Sequence, residues 1–160
     1  MELDRLARLP ASAHSRTTGT LSFLTEEGIA QMAINLLPFF QHLVIKCGER
    51  GVIVVMRVSR RTGWGSERSK IHGRYIVSSG SGGGDVVVLQ HFPADHLPPE
   101  SIVSVTGAGD TLVGSVLASL VQSPKGFEDP ESLKEIMGDA QAAAKLTLKS
   151  EYAVSPSLSL

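Results

Sequence analysis

Apolar positions follow helical spacing in one part of the N-terminal half. Across 29–40 they recur every three or four residues, behind the segment Thr25–Glu27, which offers an N-cap hydroxyl followed by two acids. Such spacing is typical of an amphipathic helix with one face in a core. It predicts a helix that begins at Thr25 and ends near Pro38–Gln41.

Two continuous apolar runs come next, Leu43–Cys47 and Val52–Met56, joined by a segment with a glycine at each end, Gly48–Gly51. Runs of this length, rich in β-branched residues, predict a strand–turn–strand unit. Their near-continuous apolar character favours strands covered on both faces, as in an α/β sheet. Shorter runs at 75–77 and 86–89 predict further strands.

The C-terminal half returns to helical spacing. Asp129 followed by Pro130 is a helix start, and it opens a long final helix through Leu148. Before it, a helix is predicted with an apolar stripe on one side (Leu112, Val113, Val116, Leu117, Leu120) and small residues on the other (Thr111, Gly114, Ser115, Ala118). Helix, strands, helix and helix together predict an α/β layer that lacks the first strands of its sheet.

Three segments are poor in apolar residues and rich in glycine, serine or charge, near 10–22, 59–70 and 78–85. They predict flexible loops within one domain over 1–160. Trp64, in the second of them, is interpreted as an exposed aromatic without a stacking partner.

Composition sets the broad class. The 160 residues are 42% hydrophobic and 19% charged, which is ordinary for a soluble globular domain. A net charge of −1 without a basic stripe argues against a nucleic-acid partner, and no apolar run approaches the roughly 18 residues of a membrane span. The single cysteine, Cys47, fits a reducing compartment. We expect the cytoplasm, with an organelle left open, and the oligomeric state is not predicted.

The chemistry concentrates in Ser104–Gly114, SVTGAGDTLVG. Glycines at a helix start leave backbone N–H groups open to an anion, yet Asp110 adds a carboxylate beside them. The acid is useful if it faces a second reactant, such as an alcohol whose proton it accepts while the amides bind a phosphoryl group. The alternative is a tight turn whose acid only favours the helix dipole. The spacing fits neither a P-loop nor GxGxxG.

The segment Ile102–Gly114 resembles the C-terminal signature of the ribokinase-like (PfkB) carbohydrate kinases. Val44–Gly51 resembles the hairpin of that family, V-x-T-x-G-x-x-G, and Gln141–Thr147 resembles its alanine-rich helix beside the adenine pocket. Within the family the chain is most similar to pseudouridine kinases. The resemblance covers about 25–150, and it implies the C-terminal half of a three-layer α/β/α sandwich, with the N-terminal half and lid missing.

The resemblance also implies residue roles. Asp110 matches the catalytic base, and the anion hole for the transferred phosphate matches Gly107, Ala108 and Gly109. The nucleotide-binding positions match Gly48, Gly51, Thr106 and Ala143, and a magnesium-organising acid matches Glu2. ATP and Mg²⁺ are the implied cofactors. Ser104 stands where a monovalent-cation site usually has aspartate, and Lys46 replaces the usual threonine of the hairpin.

Three functions remain open at this point. The first is an ATP-dependent phosphotransferase acting on a sugar or nucleoside hydroxyl, with pseudouridine as the acceptor. The alternative is a shortened, non-catalytic nucleotide-binding or regulatory form of such a kinase. The third is a structural remnant with neither property.

Overall fold

The computed structural model describes residues 23–24, 27–65, 74–78 and 84–158. They form two compact units, one holding the described residues up to Ile45 and from Ile53 to His91, the other Lys46–Val52 and the described residues from Phe92 onward. Helices and strands are mixed, which confirms the α/β class. Of the described helices, none combines the length and apolar character that crossing a membrane requires. The single-domain assignment stays a prediction. The predicted loop near 10–22 lies outside the described residues, as do 66–70 of the second predicted loop and 79–83 of the third.

The first unit contains helix α1 (Ile29–Leu36) and most of a sheet. Among the described residues the sheet has four strands in the order β1–β2–β4–β3, with these bounds: β1 (His42–Lys46), β2 (Val52–Ser59), β3 (Arg74–Ser78) and β4 (Asp85–Phe92). Strands β3 and β4 are antiparallel. The predicted strands are therefore confirmed, each with slightly different ends.

Helix α1 begins later than the predicted start at Thr25. Its N-cap is Gly28, whose backbone is left-handed with φ 69°. Because a left-handed residue cannot continue into an α-helix, the helix begins at Ile29. Thr25 and Glu26 lie outside the described residues, and Glu27 lies in a turn before the helix.

Burial distinguishes the two apolar runs. In β2 the side chains from Ile53 to Met56 are all 0% exposed. Since successive side chains in a strand point to opposite faces, β2 is covered on both, as predicted. Strand β1 is only half-buried because it lies at the end of the strand order, so the same prediction was wrong for it.

Trp64 is buried rather than exposed. It is 1% exposed within a short 3₁₀ turn, Gly63–Gly65, and the Arg74 guanidinium carbon lies 5.0 Å from its ring centroid. Arg74 also donates its Nε–H to Gln90 Oε1 at 2.6 Å, across the β3–β4 pair. The polar residues that surround Trp64 in sequence gave no sign of this partner, because Arg74 reaches it from strand β3, ten residues further along the chain.

In the second unit, helices α2 (Ala108–Gln122) and α3 (Pro130–Leu148) pack against each other. The face that α2 buries differs in part from the predicted stripe: Val113 and Leu117 are 42% and 58% exposed, whereas Thr111 is buried. The reason is a partner on α3. The Thr111 and Thr147 hydroxyls lie 3.0 Å apart, so burying Thr111 leaves no hydroxyl without a hydrogen bond.

The Thr111–Thr147 pair also holds the C-terminal segment. Thr147 is 0% exposed, and its Oγ1 accepts a hydrogen bond from the Ser155 N–H at 3.3 Å. Three parts of the unit therefore meet at one buried hydroxyl: the first turn of α2, the last turn of α3 and the segment after α3. This arrangement fixes the start of α2, where the conspicuous acid lies.

The predicted start of α3 is confirmed. Asp129 is the N-cap, Pro130 is the first helical residue, and Asp129 Oδ2 accepts a hydrogen bond from the Ser132 N–H at 2.8 Å. That backbone hydrogen bond, followed by one from the Ser132 side chain, holds the pKa of Asp129 below its usual value. The cap is therefore strongest while Asp129 is ionised.

Asp129→Ala is expected to lower the melting temperature near neutral pH. A depressed aspartate pKa stabilises the fold fully above the unfolded value, about 3.9, and the contribution is lost as the pH falls through the lowered folded value. Thermal melts from about pH 7 down to about pH 3 should therefore show the gap to wild type narrowing in acid. Asp139→Ala, which removes an exposed carboxylate from the middle of α3, is the control. If Asp139→Ala lowered the melting temperature as much, and with the same pH dependence, the stabilisation could not be assigned to the Asp129 cap.

Candidate active site

The glycine-containing loop before α2 is anchored to the end of α3. Two consecutive N–H groups, of Val103 and Ser104, donate to the Leu148 carbonyl oxygen at 2.8 and 3.3 Å. Within the loop, the Thr106 N–H donates to the Ser104 hydroxyl at 3.2 Å. The chain that enters α2 is thus held by backbone contacts rather than by the side chains of its apolar residues, and Val105 is 75% exposed.

Gly107 is the N-cap of α2, and its position requires glycine for two reasons. Its φ is 80°, a left-handed backbone that residues with a Cβ rarely adopt. In addition, a Cβ on Gly107 would overlap the carbonyl oxygen of Ala153 in the segment after α3. The turn into α2 therefore depends on the missing side chain.

The turn leaves three N–H groups open at the start of α2. The first intrahelical bond is donated by Thr111 to the Gly107 carbonyl oxygen at 2.8 Å. The preceding N–H groups, of Ala108, Gly109 and Asp110, have no acceptor among the described residues. Open amides and the positive end of the helix dipole favour an anion at this position.

Asp110 lies in the first turn of α2, directly beside these amides. Its side chain is exposed and forms no hydrogen bond or ion pair with any described residue. A carboxylate used only as a cap would accept a hydrogen bond from a backbone N–H, as Asp129 does at α3. Asp110 is the third residue of α2 rather than its N-cap, and its carboxylate has no partner among the described residues, so its oxygens remain available to an outside group.

The turn between β1 and β2 depends on two further glycines. Cys47 donates its N–H to the Gly51 carbonyl oxygen at 2.8 Å, closing the turn around Gly48–Arg50. Gly48 and Gly51 have φ values of 59° and 91°. A Cβ on Gly51 would overlap the Phe92 carbonyl oxygen, whereas a Cβ on Gly48 would meet nothing within 4 Å. The turn is therefore tightly packed at Gly51 and open at Gly48.

Lys46 brings this turn and the start of α2 together. Its Nζ lies 2.6 Å from where a Cβ of Gly109 would be. The side chain of Lys46 thus lies directly against the second residue of α2. The sequence offered Lys46 only as a departure from the threonine typical of the hairpin, and nothing in its spacing indicated contact with Gly109.

For the other predicted site residues, the described part of the chain shows no contact like that between Lys46 and Gly109. Thr106 is exposed in the loop, and Ala143 is half-buried in α3, one turn before Thr147. Glu2 lies outside the described residues. Over 23–24, 27–65, 74–78 and 84–158, no three His, Cys, Asp or Glu side chains are grouped so that they could hold a metal ion.

A comparison with protein families bears on this arrangement. The profile of the pfkB family carbohydrate kinases matches residues 64–159, which include the glycine loop, Asp110 and both helices of the second unit. The chain belongs to the PfkB carbohydrate kinase family. The resemblance drawn from SVTGAGDTLVG is thereby confirmed.

A curated relative extends the match beyond the part covered by the PfkB profile. The chain is 28% identical over 144 residues to a pseudouridine-metabolizing bifunctional protein of Schizosaccharomyces pombe. The alignment covers 90% of this chain and 17% of that protein. This PfkB chain thus spans about one-sixth of the length of the relative.

Proposed function

We propose that the second unit carries the catalytic centre of an ATP-dependent phosphotransferase whose acceptor is a hydroxyl of a sugar or nucleoside. One observation carries the proposal: the exposed Asp110 carboxylate directly follows open N–H groups at a glycine-initiated helix start, and neither has a partner in the described part of the chain. The amides attract an anion and the carboxylate repels it. The amides and the carboxylate therefore suit two different reactants, a phosphoryl group and a hydroxyl.

The proposed chemistry divides the work between neighbouring groups. The N–H groups of Ala108, Gly109 and Asp110 bind the phosphoryl group and stabilise the charge that it carries in the transition state. The Asp110 carboxylate accepts the proton of the acceptor hydroxyl as that oxygen attacks phosphorus. ADP leaves, and the products are ADP and a phosphate monoester.

In this proposal the hairpin turn binds the nucleotide. Gly48 brings bare backbone to the surface next to Lys46, which itself contacts Gly109, and the buried Gly51 closes the turn. Thr106 and Ala143 are the further proposed nucleotide contacts. ATP supplies the phosphoryl group, and Mg²⁺ accompanies it on the phosphate oxygens. Glu2 remains the proposed magnesium-organising acid. Whether a monovalent cation also binds is left open, because Ser104 stands where such a site usually has aspartate.

The finer fold proposal is the C-terminal half of a three-layer α/β/α sandwich. Exposed apolar side chains on α2 support it: Val113, Leu117 and Val121 are 42%, 58% and 82% exposed at successive turns of one face. A helix of a complete sandwich would cover such a stripe. The same uncovered stripe favours the second candidate function, a nucleotide-binding form without transfer activity. The cytoplasm is the proposed compartment.

Pseudouridine is the proposed acceptor, and support comes from the pseudouridine-metabolizing relative. The experiment supplies the chain with ATP, Mg²⁺ and separate acceptors: pseudouridine, uridine, ribose and fructose. We expect mass spectrometry to show phosphorylation of pseudouridine at least about 10-fold faster than of the others, since a site built around polar groups discriminates by hydrogen bonds.

The other outcomes separate the alternatives. ATP binding without phosphorylation of any acceptor would favour the non-catalytic form. Phosphorylation of fructose or ribose in preference to both nucleosides would support a kinase and overturn pseudouridine. Absence of ATP binding by calorimetry would leave only the structural remnant.

A further inference from the structure

Gly109 is a glycine for a reason different from that of Gly107. Its φ is not positive, so its backbone does not require glycine. The three atoms nearest to an added Cβ all belong to the Lys46 side chain, at 2.6, 3.4 and 3.5 Å. The absent Cβ of Gly109 therefore makes room for the Lys46 ammonium against the start of α2.

The Lys46 ammonium has no counter-ion among the residues that the structure describes. Of the four other lysines of the second unit, two have carboxylate partners: Lys145 lies 3.2 Å from Asp95, and Lys134 lies 3.6 Å from Glu131. Lys125 and Lys149, like Lys46, form no ion pair with a described residue, but only Lys46 lies against the start of α2. No carboxylate of a described residue forms an ion pair with Lys46. An unpaired ammonium and open amides thus meet at Gly109, and both attract an anion.

We propose that the Lys46 ammonium binds the terminal phosphate of ATP and positions it for transfer. The inference rests on the proposed function and adds a residue to it. The terminal phosphate is the one that must lie near Asp110, which follows Gly109 directly in the chain. A lysine acts on phosphate as a compact point charge, so it neutralises the group without fixing its rotation. Lys46 is therefore a specificity residue for triphosphate over diphosphate.

Lys46→Met tests the proposal because it keeps the length of the side chain and removes the charge. Calorimetric titration with ATP and with ADP, each with Mg²⁺, measures the two dissociation constants. We expect ATP to bind about 10- to 100-fold more weakly, as for the loss of a hydrogen bond to a charged group, and ADP to change by less than about threefold. Lys46→Arg keeps the charge and should retain most of the preference for ATP.

Lys134→Met is the matched control. Lys134 is an exposed lysine in the same unit, roughly 20 Å along α3 from Thr147 at the helical rise per residue. Lys134→Met should leave the dissociation constants of ATP and ADP unchanged. Because Lys46 and Lys134 are both exposed, neither substitution is expected to lower the melting temperature.

Gly109→Ala supplies an independent arm, since its Cβ would displace the ammonium. It should weaken ATP binding when Lys46 is present and have little further effect in Lys46→Ala. An unchanged ratio of ATP to ADP affinity in Lys46→Met, with ATP still bound, would overturn this inference and leave the proposed function intact. No ATP binding by the wild-type chain would overturn both.

Discussion

Asp110→Asn is expected to lower phosphoryl transfer by about 100- to 10,000-fold, the usual contribution of a general base. Asparagine has the same shape, but it cannot accept the proton of the attacking hydroxyl. The substitution also removes a negative charge beside the bound phosphate, so ATP should bind as well as in wild type or more tightly. Turnover with pseudouridine and calorimetric ATP affinity, measured on the same preparation, check the two halves of this expectation.

Asp139→Asn is the control for Asp110→Asn, because it removes an exposed carboxylate from α3 rather than from the glycine loop. It should leave turnover unchanged. If Asp110→Asn kept turnover within about threefold of wild type, the acid would be only a favourable charge in the first turn of α2. If ATP binding were lost as well, Asp110 would be needed for the nucleotide site rather than for proton transfer.

Gly107→Ala is expected to abolish ATP binding and to destabilise the second unit. A left-handed backbone at a residue with a Cβ costs about 1 kcal/mol or more. The new Cβ would also overlap the Ala153 carbonyl oxygen, which is backbone and cannot rotate away. A total of about 3 kcal/mol would lower the melting temperature by roughly 6 to 12 °C in a chain of this size. Thermal melts and ATP titration measure both effects.

Gly114→Ala is the control for Gly107→Ala. Gly114 lies in the middle of α2, its φ is not positive, and an added Cβ would meet nothing within 4 Å. Alanine there should stabilise the helix by up to about 1 kcal/mol. A similar fall in melting temperature for both variants would contradict the claim that Gly107 is required by its backbone and by Ala153.

Local signals in the sequence predicted local structure well. The Asp129–Pro130 start of α3 needs only the Ser132 N–H three residues later, so the pattern contained the whole cap. The burial of β2 on both faces was likewise predictable, since its apolar residues are consecutive. The helix that follows Gly107 was predicted from spacing, and the family was predicted from the motif around Asp110.

Contacts between distant segments were not predictable in this way. Trp64 is buried beneath Arg74, and Thr111 is buried against Thr147, because each finds a partner on another element. A polar neighbourhood in sequence does not reveal such partners. The contact of Lys46 with Gly109 is of the same kind. It joins the hairpin turn to the glycine loop before α2, and nothing in the sequence indicated that the two are in contact.

The decisive measurement follows the terminal phosphate of ATP. Wild type and Asp110→Asn are each incubated with Mg²⁺, pseudouridine and ATP labelled on that phosphate. The proposal predicts that wild type transfers the label to pseudouridine and forms one ADP for each phosphate monoester. Asp110→Asn should bind ATP and transfer almost none. Equal transfer by both proteins, or ATP bound by wild type with no label on pseudouridine, would contradict it.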